Sequence, residues 1–231
     1  MIADRVGPTI LLVLTALIGA IVIGTLLGVF ASRKPDSLAS GAVTVLSLVG
    51  YAMPVFWTGI LLVILFGKVW PIMPISGMRN VRLVGGGWES VLDVAHHLVL
   101  PALTLGIIYL AQYSRLARAS MLEILGSDYI RTARAKGLSR TAIVLKHALR
   151  NAAMPVVAIS AVQLGFMLSG SVVIETVFSL RGVGYLGWEA ISKNDFPVVQ
   201  SVVLFLAVVF VLLTLLADLM NAALDPRLRT Q

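Results

Sequence analysis

Apolar residues run nearly unbroken over 8–32, 38–66, 98–116, 152–178 and 198–220. A helix of about 20 residues crosses the hydrocarbon core of a bilayer, so the pattern predicts an all-α membrane protein with five transmembrane helices. Gly24-Thr-Leu-Leu-Gly28 in the first run spaces two small residues so that a neighbouring helix can come close. Pro54 lies inside the second run, where a kink is expected. Residues 1–7 read as an outer stub, and 222–231, with Asp225-Pro226-Arg227-Leu228-Arg229, as a short basic tail.

The longest polar interruption, 117–151, has a pattern of its own. Tyr129 to Lys136 contains no helix breaker, and Gly137 suits the left-handed position that closes a helix. Ser139 can cap a second short helix that ends before Pro155. On that helix Val144, Leu145, Ala148, Leu149 and Ala152 fall on one face, and Lys146, His147 and Arg150 on another. Between Gln112 and Asn151 stand eight basic residues, Arg115, Arg118, Arg131, Arg134, Lys136, Arg140, Lys146 and Arg150, against the acids Glu123 and Asp128. A basic helical hairpin between spans offers a face to a partner protein or to lipid headgroups, and the charge pattern alone serves both.

Composition narrows the class. The chain is 58% hydrophobic and 13% charged, with mean hydropathy +0.96, whereas a globular domain is about a quarter charged. The formal charge of +7 is concentrated in the central loop and speaks for membrane topology before nucleic acid. With that loop in the cytoplasm, twelve of the eighteen Lys and Arg lie inside, and the reverse orientation would place those twelve outside. Five spans then put the N-terminus outside and the C-terminus inside. No signal peptide is visible, so an upstream span is the simplest completion. Of the outer segments, 67–97 is long and mixed, with Trp70 expected at the interface, and 179–197 reads as a tight turn and an interfacial segment. There is no cysteine, and the adjacent His96 and His97 point to different sides without a third ligand at suitable spacing, so no metal site is expected. A secondary transporter or channel would want midplane charges or an inverted repeat. An intramembrane enzyme would want a histidine within a span, and the three stand at 96, 97 and 147.

The string DYIRTARAKGLSRTAIVLKHALRNA, preceded by RLARASMLEIL, resembles the cytoplasmic coupling loop of ABC-importer permeases of the dipeptide/oligopeptide type, whose members carry dipeptides, oligopeptides, glutathione or nickel. YAMPVFWTGILLVILFG at 51–67, HLVLPALTLG at 97–106, SGSVVIETVFSLRGVG at 169–184, NDFPVVQ at 194–200 and LDPRLR at 224–229 extend the resemblance, in order, over nearly the whole chain. It is closest to the first of the two permeases that such importers carry. Arg131, Thr132 and Ala133 stand where the general permease motif has Glu-Ala-Ala, and Leu149-Arg150 where it has Leu-Pro, both as in the peptide subgroup. Arg181-Gly182 replaces a common Pro-Gly. Members of the group begin with a further span, and this sequence starts where the second should, as a fragment, a shortened product or a mis-assigned start would.

The resemblance implies a type I ABC-importer permease fold over 8–221 in a bacterial or archaeal plasma (inner) membrane. It implies a second homologous permease, two cytosolic ATPase subunits, an extracytoplasmic substrate-binding protein and the lipid bilayer as partners, and no nucleic acid. This chain would bind no cofactor, since it has no Walker glycine loop; ATP and magnesium would sit on the ATPases. The ATPase-coupling residues implied are Asp128, Arg131, Thr132, Ala133, Arg134, Lys136, Gly137, Leu138, His147 and Arg150, with Ala133 permitting close approach. Polar groups at membrane depth are candidates for a translocation path because they are expensive there. These are Gln163, Ser169 and Glu175, with Ser171 beside them; Glu175 and Asp218, near predicted boundaries, are expected to reach out to the interface.

Overall fold

The structure, a computed structural model, describes residues 1–80 and 87–224. The elements described are all helical: α1 (Ile2–Ser32), α2 (Leu38–Ala52), α3 (Val55–Val63, continued by a π-helical turn Ile64–Val69), α4 (Trp88–Leu125), α5 (Asp128–Ala135), α6 (Arg140–Ala142), α7 (Leu149–Val177), α8 (Val183–Ser192) and α9 (Phe196–Leu224). A second π-helical turn, Ile143–Ala148, joins α6 to α7. Four helices are long and apolar enough to cross a membrane, and five if α2 and α3 together make one broken span. Arg82, the tail motif from Asp225 to Arg229 with Arg227 in it, and the side chain of Arg140 lie outside the described residues.

Several boundaries differ from those expected. Residues 1–7 are not a stub: α1 starts at Ile2, because Ile2 and Val6 pack against the cluster of Val183, Leu186 and Val202. Asp4 in its first turn also suits the positive end of the helix dipole. Pro54 makes a break, not a kink. It is extended (φ −61, ψ 132), serves as the N-cap of α3, and its ring disfavours helical backbone at Met53. α4 begins ten residues before the apolar run and continues past 116 to Gly126, since nothing between Trp88 and Leu125 but Pro101 interrupts a helix. The second hairpin helix does not end before Pro155. The buried line Ala148, Ala152, Val156 runs straight past that proline, and α6, the π turn and α7 form one continuous helical path. One missing backbone hydrogen bond is tolerated in a span where neighbours re-satisfy the freed carbonyl.

Contacts divide the chain into two compact units. The first, 1–18, 53–106 and 162 onward, has its core in α8 and α9 with the start of α1. The second, 19–52 and 107–161, buries Val29, Met121, Ile130, Ile143, Val144 and Ala148 together. Its glycines act as the spacing predicted. A Cβ on Gly24 would fall 2.7 Å from the Leu110 carbonyl, and one on Gly28 2.5 Å from that of Ser114, so α1 and α4 touch backbone to backbone there.

Candidate functional site

The hairpin is built on the second unit's core. Ile130 and Ala133 are the inward face of α5, and the other side carries Asp128, Arg131, Thr132, Arg134 and Lys136 to the exterior. Ala133 is buried, because an apolar pair three residues apart on a short polar helix turns to the core. Asp128 and Arg131 pair across 3.3 Å, both exposed, and Arg134 Nη2 donates to the Leu125 carbonyl at 3.4 Å. Gly137 closes α5 with φ +78. Its N–H donates to the Arg134 carbonyl, and that of Leu138 to Ala133. These are the two bonds of a Schellman turn, which needs a left-handed residue at this place. Leu138 follows, exposed. Ser139 Oγ then accepts from Ala142 N–H at 3.3 Å, as an N-cap does.

Beyond Ala142 the π turn changes the facing of side chains. Ile143, Val144 and Ala148 are buried, while Leu145, assigned to the apolar face, is 57% exposed. A turn with one more residue than the α-helical kind displaces each later side chain from the 3.6 period. Two residues the sequence did not single out fasten the hairpin to α7: Tyr129 Oη donates to the His147 carbonyl at 2.7 Å, and Asn151 Nδ2 donates to Tyr129 Oη at 3.0 Å. The available signal was Tyr129, an aromatic with a polar tip on an otherwise charged helix. Lys146, His147 and Arg150 line an open pocket of about 470 Å³ beside this pair.

The candidates for a path do not share a face. Gln163 and Glu175 are buried and Ser169 is exposed. Glu175 does not reach out to an interface: it is 0% exposed. Its Oε1 accepts from Thr9 Oγ1 at 2.7 Å and Ser171 Oγ at 3.3 Å, and its Oε2 from Tyr185 N–H at 2.9 Å. Thr9 Oγ1 in turn accepts from Val183 N–H at 2.9 Å. The carboxylate thus sits at the N-terminus of α8, where free N–H groups and the helix dipole favour a negative charge. Gly182 and Gly184 leave room for this approach, since a Cβ on Gly182 would meet the Glu175 carboxylate and Thr9. Among the described residues no cluster of three or more His, Asp or Glu could hold a metal ion.

Residues 20–230 match the family described as binding-protein-dependent transport system inner membrane component. The chain belongs to that family. It is 39% identical to the dipeptide transport system permease protein DppB of Escherichia coli K12, over 97% of this chain and 71% of that protein. It is 40% identical to a di/tripeptide transport system permease protein DppB of Pseudomonas aeruginosa (96% and 70%). It is 37% identical to a glutathione transport system permease protein GsiC of Escherichia coli O1:K1 (99% and 70%). Its fold is similar to that of a chain of the MetNI methionine ABC transporter in an inward-facing conformation, with TM-score 0.71, 17% identity, and 97% and 96% of the two chains covered. The resemblance read from the coupling loop is thus met. The chain is an ABC-importer permease of the peptide type, a multi-pass inner-membrane component, and these findings give the secondary-transporter or channel alternative no support.

Proposed function

We propose that this permease takes up dipeptides or oligopeptides, driven by ATP hydrolysed with magnesium on two cytosolic ATPase subunits. A second, homologous permease and an extracytoplasmic substrate-binding protein complete the importer. The hairpin and the C-terminus face the cytoplasm and the N-terminus faces outward. The observation that carries the reading is the Schellman turn at Gly137. It presents Arg131, Lys136 and Leu138 outward while Ile130 and Ala133 hold α5 to the core. Such a knob, apolar at its tip and basic around it, fits a groove with acidic walls. Asp128, Thr132 and Arg134 complete the surface, with His147 and Arg150 at its margin. Dipeptides lead because the most similar relatives quoted are named for them, and glutathione, itself a peptide, comes next.

The test is reconstitution with the partners. Labelled dipeptide should enter proteoliposomes only with ATP, both ATPase subunits and the binding protein present, and the ATPases should co-purify with the permease pair. Peptide entry at the same rate without any ATPase subunit would overturn the reading.

A further inference from the structure

The open pocket of about 470 Å³ beside the hairpin's fastening lies wholly within the second unit, lined by Tyr129, Lys146, His147, Arg150, Asn151 and Met154. Lys146 and Arg150 are exposed, and among the described residues no carboxylate lies within ion-pair distance of either. No acid lines the pocket, and Asp128, next to Tyr129 in the chain, is engaged with Arg131. Asn151 gives one amide N–H to Tyr129 Oη and has a second to give. The polar end of the pocket thus offers cations and a hydrogen-bond donor, and no anion of the chain answers them.

Position along the helix narrows the occupant. The span Ile143–Val177 has 35 residues, or about 50 Å at 1.5 Å per residue, against about 30 Å of hydrocarbon. The excess lies at its N-terminal end, because the apolar run starts at Ala152, directly after Asn151. Lys146 and Arg150 therefore stand within two turns of the place where hydrocarbon begins, and Met154 stands beyond it. Met154 and Val157 follow Arg150 on one face, four and seven residues on, and are 54% and 45% exposed. The pocket is charged at one end and opens at the other onto an apolar face of the span. A water-soluble protein can reach the charges but not that face. A phospholipid matches both, with its phosphate on the cations and an acyl chain along the apolar residues.

We infer that Lys146 and Arg150, with Asn151, hold the phosphate of an anionic phospholipid whose acyl chain lies along Met154 and Val157. Basic pockets at the ends of spans bind such headgroups, and arginine's planar fork meets a phosphate through two parallel hydrogen bonds. Tyr129 and Asn151 also fasten α5 to α7, so the lipid sits at the joint that carries the hairpin. The outward face of α5 keeps Arg131, Lys136 and Leu138 for an ATPase groove, and only its margin, His147 and Arg150, is shared with the lipid. Such a site needs the span and the hairpin and no particular solute.

The purified permease complex, with and without its ATPase subunits, is placed in phosphatidylcholine discs that hold a trace of a probe lipid. The probe is phosphatidylglycerol or phosphatidylcholine with a photoreactive diazirine in one acyl chain, and adducts on residues 151–161 are counted by mass spectrometry after illumination. In the wild type the phosphatidylglycerol probe should label this segment about tenfold or more above the phosphatidylcholine probe, since each basic residue near the surface favours an anionic lipid about fivefold. The adducts should fall on Met154 and Val157. Lys146→Gln and Arg150→Gln, at exposed and unpaired positions, should each lower that ratio several-fold and together bring it near one, and Lys146→Arg should keep it. Arg131→Gln with Lys136→Gln, which removes as much charge from α5, should leave it unchanged. Equal labelling by the two probes in the wild type, a comparison that needs no variant to fold, would overturn the site. So would a ratio that falls as far for the α5 pair as for the pocket pair, since the attraction would then be diffuse. Labelling found only when the ATPase subunits are absent would give the pocket to the ATPase and overturn the lipid as its occupant.

Discussion

Gly137 has φ +78 and nothing within 4 Å of the place a Cβ would occupy, so a substitution there acts through the backbone alone. A left-handed conformation costs an ordinary residue about 1–2 kcal/mol, and a β-branched one more. Gly137→Val should therefore change the angle between α5 and α6, abolishing ATP-driven uptake while membrane abundance stays normal. Gly137→Asn, which tolerates that conformation, should retain most uptake. Normal uptake by the valine variant would make the glycine an ordinary loop residue. Glu175 poses the opposite problem, all contact and no freedom. Glu175→Ala leaves the Tyr185 N–H without its acceptor and Thr9 with only a 3.4 Å contact to the Arg5 carbonyl, while Ser171 keeps the Leu168 carbonyl, at about 1–3 kcal/mol for each buried group left unsatisfied. Thermal unfolding in detergent should fall well below wild type for Glu175→Ala and part of the way for Glu175→Gln, whose amide keeps one acceptor oxygen. An unchanged melting temperature in both would show that the N-terminus of α8 does not need the charge. Gly137 was legible because its demand is local. The place of Glu175 was not, because its partners lie 166 and 10 residues away in the chain, and composition near a boundary reads the same for a buried carboxylate as for a solvated one.

At the scale of elements, the apolar runs located the spans but not their ends. Hydropathy reports where lipid can touch a helix, whereas a helix continues until its backbone is broken. α4 outruns its apolar segment at both ends, through Glu89 and Asp93 on one side and Arg118 and Glu123 on the other, and stops at Gly126. The π turn at Ile143–Ala148 was illegible for a related reason: an inserted residue preserves composition and shifts only the phase, and Leu145 was misplaced by that shift. The hairpin's fastening is also a matter between elements. Tyr129→Phe removes the bonds to the His147 carbonyl and to Asn151 while keeping the ring. Each net hydrogen bond is worth about 1 kcal/mol, so α5 should loosen rather than unfold. Amide exchange in 128–139 should speed up several-fold, with slow exchange in α4 unchanged. No change in the hairpin would show that Ile130 and Ala133 hold α5 without the tyrosine.

For the whole molecule, the broken pair α2–α3 either crosses the membrane or turns back within it. Val29, near the end of α1, packs with Met121 and Ile130. Arg33 shares a pocket with Leu125, Arg134 and Leu138, and Thr44, near the start of α2, lies beside Arg118. The charged turn Arg33-Lys34-Pro35-Asp36 therefore stands at the hairpin end of α4. Residues 77–80, by contrast, lie near the other end of that helix, where Asp93 accepts from Asn80 N–H at 2.7 Å. Charge favours a crossing: it keeps Arg33 and Lys34 on the side of the basic hairpin, whereas a re-entrant pair would place them outside against the positive-inside bias. Reporters fused after Asp36 and after Arg140 should thus both read cytoplasmic, and those after Met78 and Asn194 should both read outside. A translocated Asp36 reporter beside a cytoplasmic Arg140 reporter would make the pair re-entrant and reduce the spans to four. A translocated Arg140 reporter would remove the cytoplasmic hairpin, and with it the ATPase docking proposed for its surface.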